Sequence, residues 1–160
     1  MYDFVNELGY LALATRFKRL SEAMVHSGRE MYKELGIDVE PNWYLIFKLL
    51  KKYETLSVTE MANKLHFSHP SVITLISKME QNGYVRFSSD TRDARKKNYT
   101  LTEKAVGALP KLEAIWHAGT VGVQNLFSPD SRFLEELEYL EIQLSKQNFK
   151  QRTFNELDHD

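Results

Sequence analysis

Residues 57–101 read S-V-T-E-M-A-N-K-L-H-F-S-H-P-S-V-I-T-L-I-S-K-M-E-Q-N-G-Y-V-R-F-S-S-D-T-R-D-A-R-K-K-N-Y-T-L, and few folds accommodate that order of signals. Ser57 is placed to cap a helix whose Glu60, three residues on, reaches back to the cap, the S-x-x-E capping box. Val58, Met61, Ala62 and Leu65 then share one helical face. His66 and Phe67 leave room only for a sharp turn. Ser68 offers a second cap, and Pro70 falls in the first turn of the next helix, where its missing N–H costs nothing. Val72, Leu75, Ile76 and Met79 recur at spacings of three and four, so that face must be buried. The opposite face carries His69, Ser71, Thr74 and Lys78, short polar groups and one cation suited to base edges and phosphates. Gly83 stops this helix as its C′ residue, residues 84–87 read as a strand, and residues 98–101 read as its return partner. The loop between them holds Arg92, Arg95, Lys96 and Lys97 against Asp90 and Asp93. Two helices, a tight turn and a hairpin with a basic tip make a winged helix-turn-helix.

In these residues the chain resembles the MarR family of bacterial transcription regulators. The family's wing carries D-x-R-x-x-R, which stands here as Asp90-Thr91-Arg92-Asp93-Ala94-Arg95. Its next feature, a Leu-Thr-Glu opening to a long helix, stands as Leu101-Thr102-Glu103-Lys104. Ala94 and the neutral Thr74 depart from the more basic versions common in the family, which bears on affinity more than on function. The resemblance implies a regulator that binds double-stranded DNA as a homodimer, more often a repressor than an activator. It also implies a small, often phenolic or anionic, effector held between the winged unit and the dimer base. Phe17, His26, Trp43, Phe47 and Trp116 are the candidate lining residues, although Trp43, Tyr44 and Phe47 lie on a helical stripe that reads first as core.

A twofold dimer would set two recognition helices about 34 Å apart on a pseudo-palindromic operator. Ser68 would cap that helix, with base readout falling to His69, Pro70, Ser71, Thr74 and Lys78; Pro70 can touch a thymine methyl but donates nothing. On the wing, Arg92 and Arg95 would reach the minor groove or its phosphates, since a guanidinium fork suits either. The alternative for Arg95 is a bond to Asp90 or Asp93 that shapes the loop. Lys96 and Lys97 suit phosphates as flexible point charges, and read equally as a solvated stretch.

The flanks read as helices. From residue 2 to about 35, apolar positions recur at Phe4, Leu8, Leu11, Leu20, Met24, Met31 and Leu35 with no proline, which predicts one long helix carrying Gly9 and Gly28 at about 1 kcal/mol each. Such a helix has more apolar surface than one winged domain can cover, so part of it is expected to face a second subunit. Pro41 opens a helix over 42–52, and residues 53–56 form a link that adds a β bridge beside the wing. Thr102 caps a helix to about residue 127, bent at Pro110. Ser128-Pro129 restarts a helix in which Phe133, Leu137, Leu140 and Leu144 form a seam. Beyond residue 149 the chain is polar and is expected to fray. The predicted class is mainly α with a small β-wing. The predicted organisation is an N-terminal dimerisation helix (1–35), the winged domain (36–101), C-terminal dimerisation helices (102–150) and a polar tail (151–160).

Composition narrows the partners. The net charge of −1 carries no nucleic-acid signature, but residues 84–104 hold six Lys or Arg against three acids, while residues 135–160 hold seven acids against three bases. A phosphate backbone senses charge within about 10 Å, so the local excess is what counts. There is no cysteine, which excludes disulfides, thiolate metal sites and a thiol-oxidation switch. No apolar run reaches the roughly 20 residues needed to cross a membrane, and the N-terminus lacks signal-peptide layout, so a cytoplasmic chain is expected. No phosphate loop, nucleophile elbow or H-E-x-x-H points to an enzyme, and no cofactor or metal is expected. Two alternatives stay open: a winged module that binds protein, and a metal-responsive regulator using His66 with His69, or Glu113 with His117.

Overall fold

Residues 3–89 and 97–158 are described by the structure, a computed structural model. The fold is mostly helical with one small antiparallel sheet, and the chain divides into two compact units, Met1–Pro110 and Lys111–Asp160.

The first unit opens with a correction. The unbroken helix expected over 2–35 is instead α1 (Phe4–Glu7), a 3-10 turn (Gly9–Ala12) and α2 (Leu13–Glu34). Gly9 is more than a weak helix former: it takes φ +53°, a left-handed conformation that ends the helix. Asp3 caps α1 by accepting from the Val5 N–H at 3.1 Å, and Arg19 of α2 donates to the same carboxylate at 2.9 Å. A second 3-10 turn, Pro41–Trp43, leads into α3 (Tyr44–Tyr53). There follow β1 (Leu56–Ser57), α4 (Val58–Leu65), α5 (His69–Gln81), β2 (Val85–Ser89) and β3 (Lys97–Leu101). The strand order is β1-β3-β2, with Leu56 opposite Tyr99 and Phe87 opposite the same tyrosine on the other side, so the expected bridge beside the wing is present.

Trp43, Ile46, Phe47, Leu50, Met61, Val72, Ile76 and Met79 are buried and form the centre of this unit. Trp43 and Phe47 meet Tyr84 edge-on, with ring centroids at 5.7 and 5.6 Å. Burial, and behind it the Asp38 carboxylate, pushes the Tyr84 phenol above its ordinary range, so it packs there uncharged. The join between α3 and β1 is strained: Glu54 has φ +62° and ψ −52° while the Thr55 N–H donates to Tyr53 O across it at 2.6 Å. That is a γ-turn of the rare positive-φ kind. Glu54→Gly is expected to stabilise the protein by about 1 kcal/mol, strain relief outweighing the entropy that glycine adds to the unfolded chain. The urea midpoint should rise with the m-value unchanged.

The second unit takes the end of α6 (Glu103–Gln124), then α7 (Phe133–Lys146) and α8 (Phe149–Leu157). No helix starts at Ser128-Pro129. The Ser131 N–H closes a turn on Ser128 O at 3.0 Å, and the Ser131 hydroxyl accepts from the Phe133 N–H at 3.3 Å, so the start moves to Phe133. Phe127 and Phe133 stack across that turn at 5.2 Å. Nor does the chain fray past residue 149. Asn148 and Gln151 form a reciprocal capping box at 3.0 and 3.1 Å, and Arg152 donates to Gln147 O and Gln143 O at 2.9 and 2.8 Å, tying α8 to the last carbonyls of α7. The N-x-x-Q spacing was the available sequence signal for that helix.

Candidate nucleic-acid interface

The exposed face of α5 is built from both of its ends. Upstream, the Ser57 hydroxyl accepts from the Glu60 N–H at 3.3 Å while the Ser57 N–H donates to Glu60 Oε2 at 2.7 Å, so α4 starts on the predicted capping box. Met61 and Ala62 are buried beneath it. At the turn, His66 takes a left-handed conformation, φ 52° and ψ 35°, and the Phe67 N–H donates to Ala62 O at 3.1 Å. Ser68 then caps α5, accepting from the Ser71 N–H at 3.3 Å. With Val72, Ile76 and Met79 buried, His69, Pro70, Ser71, Thr74 and Lys78 all face outward.

These side chains are held before any partner arrives. The Ser68 and Ser71 hydroxyls lie 2.7 Å apart, Thr74 donates to Pro70 O at 3.0 Å, and His69 Nε2 lies 3.3 Å from Thr59 Oγ1 of α4. A hydroxyl that donates back into its own helix still offers lone pairs outward, so Thr74 keeps an acceptor face toward an exocyclic amino group. Among the described residues, Lys78 is the one lysine or arginine that α5 contributes to this face.

Beside this face lies a cleft of about 610 Å³ whose walls include the cap Ser68, Ser71, Thr74 and Lys78 of α5, Arg29 of α2, and Asn42 and Trp43 of the turn before α3. A neighbouring cleft of about 630 Å³ shares Arg29, Glu40, Trp43 and Lys78. Arg29 and Glu40 form a 2.9 Å ion pair between them, but both are exposed, so the pair contributes little to stability. Nothing in the sequence pointed to Arg29 or Asn42, because the spacing of the N-terminal repeat carries no information on which turn meets the winged unit. Of the five candidate effector residues, Trp43 is buried and lines both clefts, while Phe47 is fully buried and lines neither. His26 is exposed beside Glu30 at 3.5 Å, Phe17 is half-buried on α2, and Trp116 belongs to the second unit.

Asp90, Arg92, Arg95 and Lys96 lie outside the described residues. Lys97 starts β3 with its ammonium 4.4 Å over the Phe87 ring. A second cationic group gathers at the Tyr53 end of α3, where Lys64 of α4 and Lys52 of α3 stand 3.9 and 5.2 Å from the Tyr53 ring. Lys52 foremost, and then Lys64, hold the Tyr53 phenol below its ordinary range. Among the described residues no three His, Cys, Asp or Glu side chains gather as metal ligands, and no helix is long and apolar enough to cross a membrane.

Residues 39–97, the stretch that forms this surface, match the MarR family. The organic hydroperoxide resistance transcriptional regulator of Bacillus subtilis is 31% identical over 100 residues, 59% of this chain and 67% of that protein. The chain belongs to the MarR family. A second relative, the HTH-type transcriptional regulator TtmR of Methylorubrum extorquens, is 30% identical over 112 residues, 69% of this chain. The matched stretch spans 56% of TtmR's own length. The same fold recurs in the S. aureus MepR–DNA complex, with a TM-score of 0.68 at 17% identity, over 84% of this chain and 97% of that one. Membership in this family accounts for the order seen here: capped helix, left-handed turn, second capped helix, hairpin.

Proposed function

We propose that this MarR family member is a sequence-specific DNA-binding transcription regulator. The observation that carries the reading is the α5 face, on which five outward side chains with groove-reading chemistry follow a serine cap while the reverse of the helix is locked in the core. Ser68, His69, Pro70, Ser71, Thr74 and Lys78 serve as the recognition surface, and Asp90, Arg92, Arg95, Lys96 and Lys97 as the wing. The protein works in the cytoplasm, where its DNA is, and acts as a repressor by occupying a pseudo-palindromic operator.

Surface chemistry supports a homodimer. Tyr10 is 94% exposed, Leu11 83%, Leu126 77%, Phe149 77% and Leu134 74%, an apolar display that a lone soluble chain does not sustain. On this reading residues 1–35 and 102–150 supply the dimer base and 36–101 the winged domain. A small anionic or phenolic effector is taken up in the cleft that borders α5, where it would alter the spacing of the two recognition helices. A coupling of about 1–3 kcal/mol is enough to release DNA.

Two substitutions separate positioning from readout. Lys78→Ala is expected to weaken binding on every sequence and to lower the salt slope by about one unit, whereas Ser71→Ala should change which sequence is preferred. Titrations of operator and random duplex at several salt concentrations measure both. If Lys78→Ala and Ser71→Ala both bind as the parent does, α5 is not the reading element.

A further inference from the structure

The exit from α5 is held by the first turn of α6. Within the last turn of α5, the Asn82 N–H and its side-chain amide both donate to Lys78 O, at 3.1 and 2.8 Å. The Gly83 N–H donates to Glu80 O at 2.9 Å and the Tyr84 N–H to Met79 O at 2.9 Å, with Gly83 at φ +71°. The next three carbonyls are taken from across the wing. Lys104 Nζ donates to Asn82 O at 2.7 Å, the Thr102 hydroxyl donates to Gly83 O at 2.7 Å, and the Thr102 N–H donates to Tyr84 O at 3.1 Å. The Lys104 ammonium also stands 4.2 Å over the Tyr84 ring, which meets Trp43 and Phe47 as well.

A cation at a helix C-terminus meets the partial negative charge gathered there. Here it does so from a residue 22 positions later in the chain, so the contact closes the whole hairpin back onto α5. We infer that Lys104 is a positioning residue for DNA recognition. It fixes the C-terminal end of the recognition helix, as the Ser68 cap and the Thr59–His69 contact fix the other end, and it touches no DNA itself. The inference rests on the DNA-binding reading above. Its physical basis is preorganisation: a helix held at both ends presents its side chains in one geometry and loses less freedom on binding. The ammonium of Lys104 is directed to a carbonyl and a ring of its own chain, which separates its role from that of Lys78.

Lys104→Met keeps the apolar stem over Tyr84 and removes the ammonium, while Lys104→Arg keeps a cationic donor. Full-length protein carrying each change would be compared with the parent in three ways: affinity for the selected operator and for random duplex, the salt slope of each, and amide exchange of Gly83 and Tyr84. The expected result for Lys104→Met is an operator affinity about tenfold lower, the cost of re-ordering the released helix end on binding, with random-duplex affinity and salt slope unchanged and both amides exchanging faster. Lys104→Arg should restore the operator affinity. Equal losses on both DNAs with a slope lower by about one would make Lys104 a phosphate contact and overturn the proposal. Faster exchange with unchanged operator affinity would leave only a structural role and overturn it too. Unchanged exchange would show that the clamp does not hold the helix end, whatever the DNA result. A parent that selects no sequence would sink the DNA-binding reading and the role given to Lys104 with it, while the exchange rates would still report on the clamp.

Discussion

Phe47→Ala is expected to cost about 3–5 kcal/mol, most of the stability that a domain of this size has to lose. Phe47 is fully buried, its ring meets Tyr84 edge-on at 5.6 Å, and Tyr84 in turn holds Trp43 and carries Lys104 on its outer face. Deleting the ring removes its transfer free energy and leaves a void in a close-packed core that relaxes only in part. Phe47→Leu, which keeps most of the volume, should cost about 1 kcal/mol. Urea unfolding of the three proteins measures the difference. A loss below about 1 kcal/mol for Phe47→Ala would mean that the neighbouring side chains collapse into the space the ring leaves, and that the core is less tightly packed there than its burial implies.

Placing charges on the apolar display should have the second large effect, this time on function. The double substitution Leu126→Asp and Leu134→Asp alters two side chains that are 77% and 74% exposed in the chain alone, so the fold of the protomer should be unaffected. Buried in a dimer, each unpaired carboxylate would be costly, and the expected result is a monomer in sedimentation. Operator affinity should then fall about 10²–10⁴-fold, the contribution of a linked second half-site, while affinity for a single half-site stays as it was. A double variant that remains dimeric would place the subunit contact elsewhere on the chain.

The winged unit was legible in the sequence because its signals are local. A capping box at Ser57 and Glu60, a cap at Ser68 followed by Pro70, and a glycine at 83 are each decided within a few residues, and each stands where it was expected. The flanks were legible in type but not in boundary. Gly9 fits a helix interior and a left-handed stop equally well on local spacing, and the contact that accompanies the stop, Arg19 on Asp3, spans 16 positions. Ser128-Pro129 carried a valid helix-start pattern that lost to the Ser131 hydroxyl, which meets the first N–H of α7. The α8 helix was missed because its composition is polar, although its capping box obeys the same rule that found α4. In the candidate interface, the row of residues on α5 was visible as a helical face. The cleft beside it and the Lys104 clamp were not, because they join residues far apart in the chain, such as Arg29 with Lys78 and Asn82 with Lys104, with no repeating pattern between them.

Selection of bound fragments from a randomised duplex pool by the purified protein, carried out at two salt concentrations, is the most direct measurement of whether this chain reads DNA. The predicted result is enrichment of a pseudo-palindrome with half-sites about 10 base pairs apart, surviving at the higher salt. Binding that enriches no sequence and vanishes at the higher salt would contradict it, leaving only the generic attraction of a basic patch for phosphate.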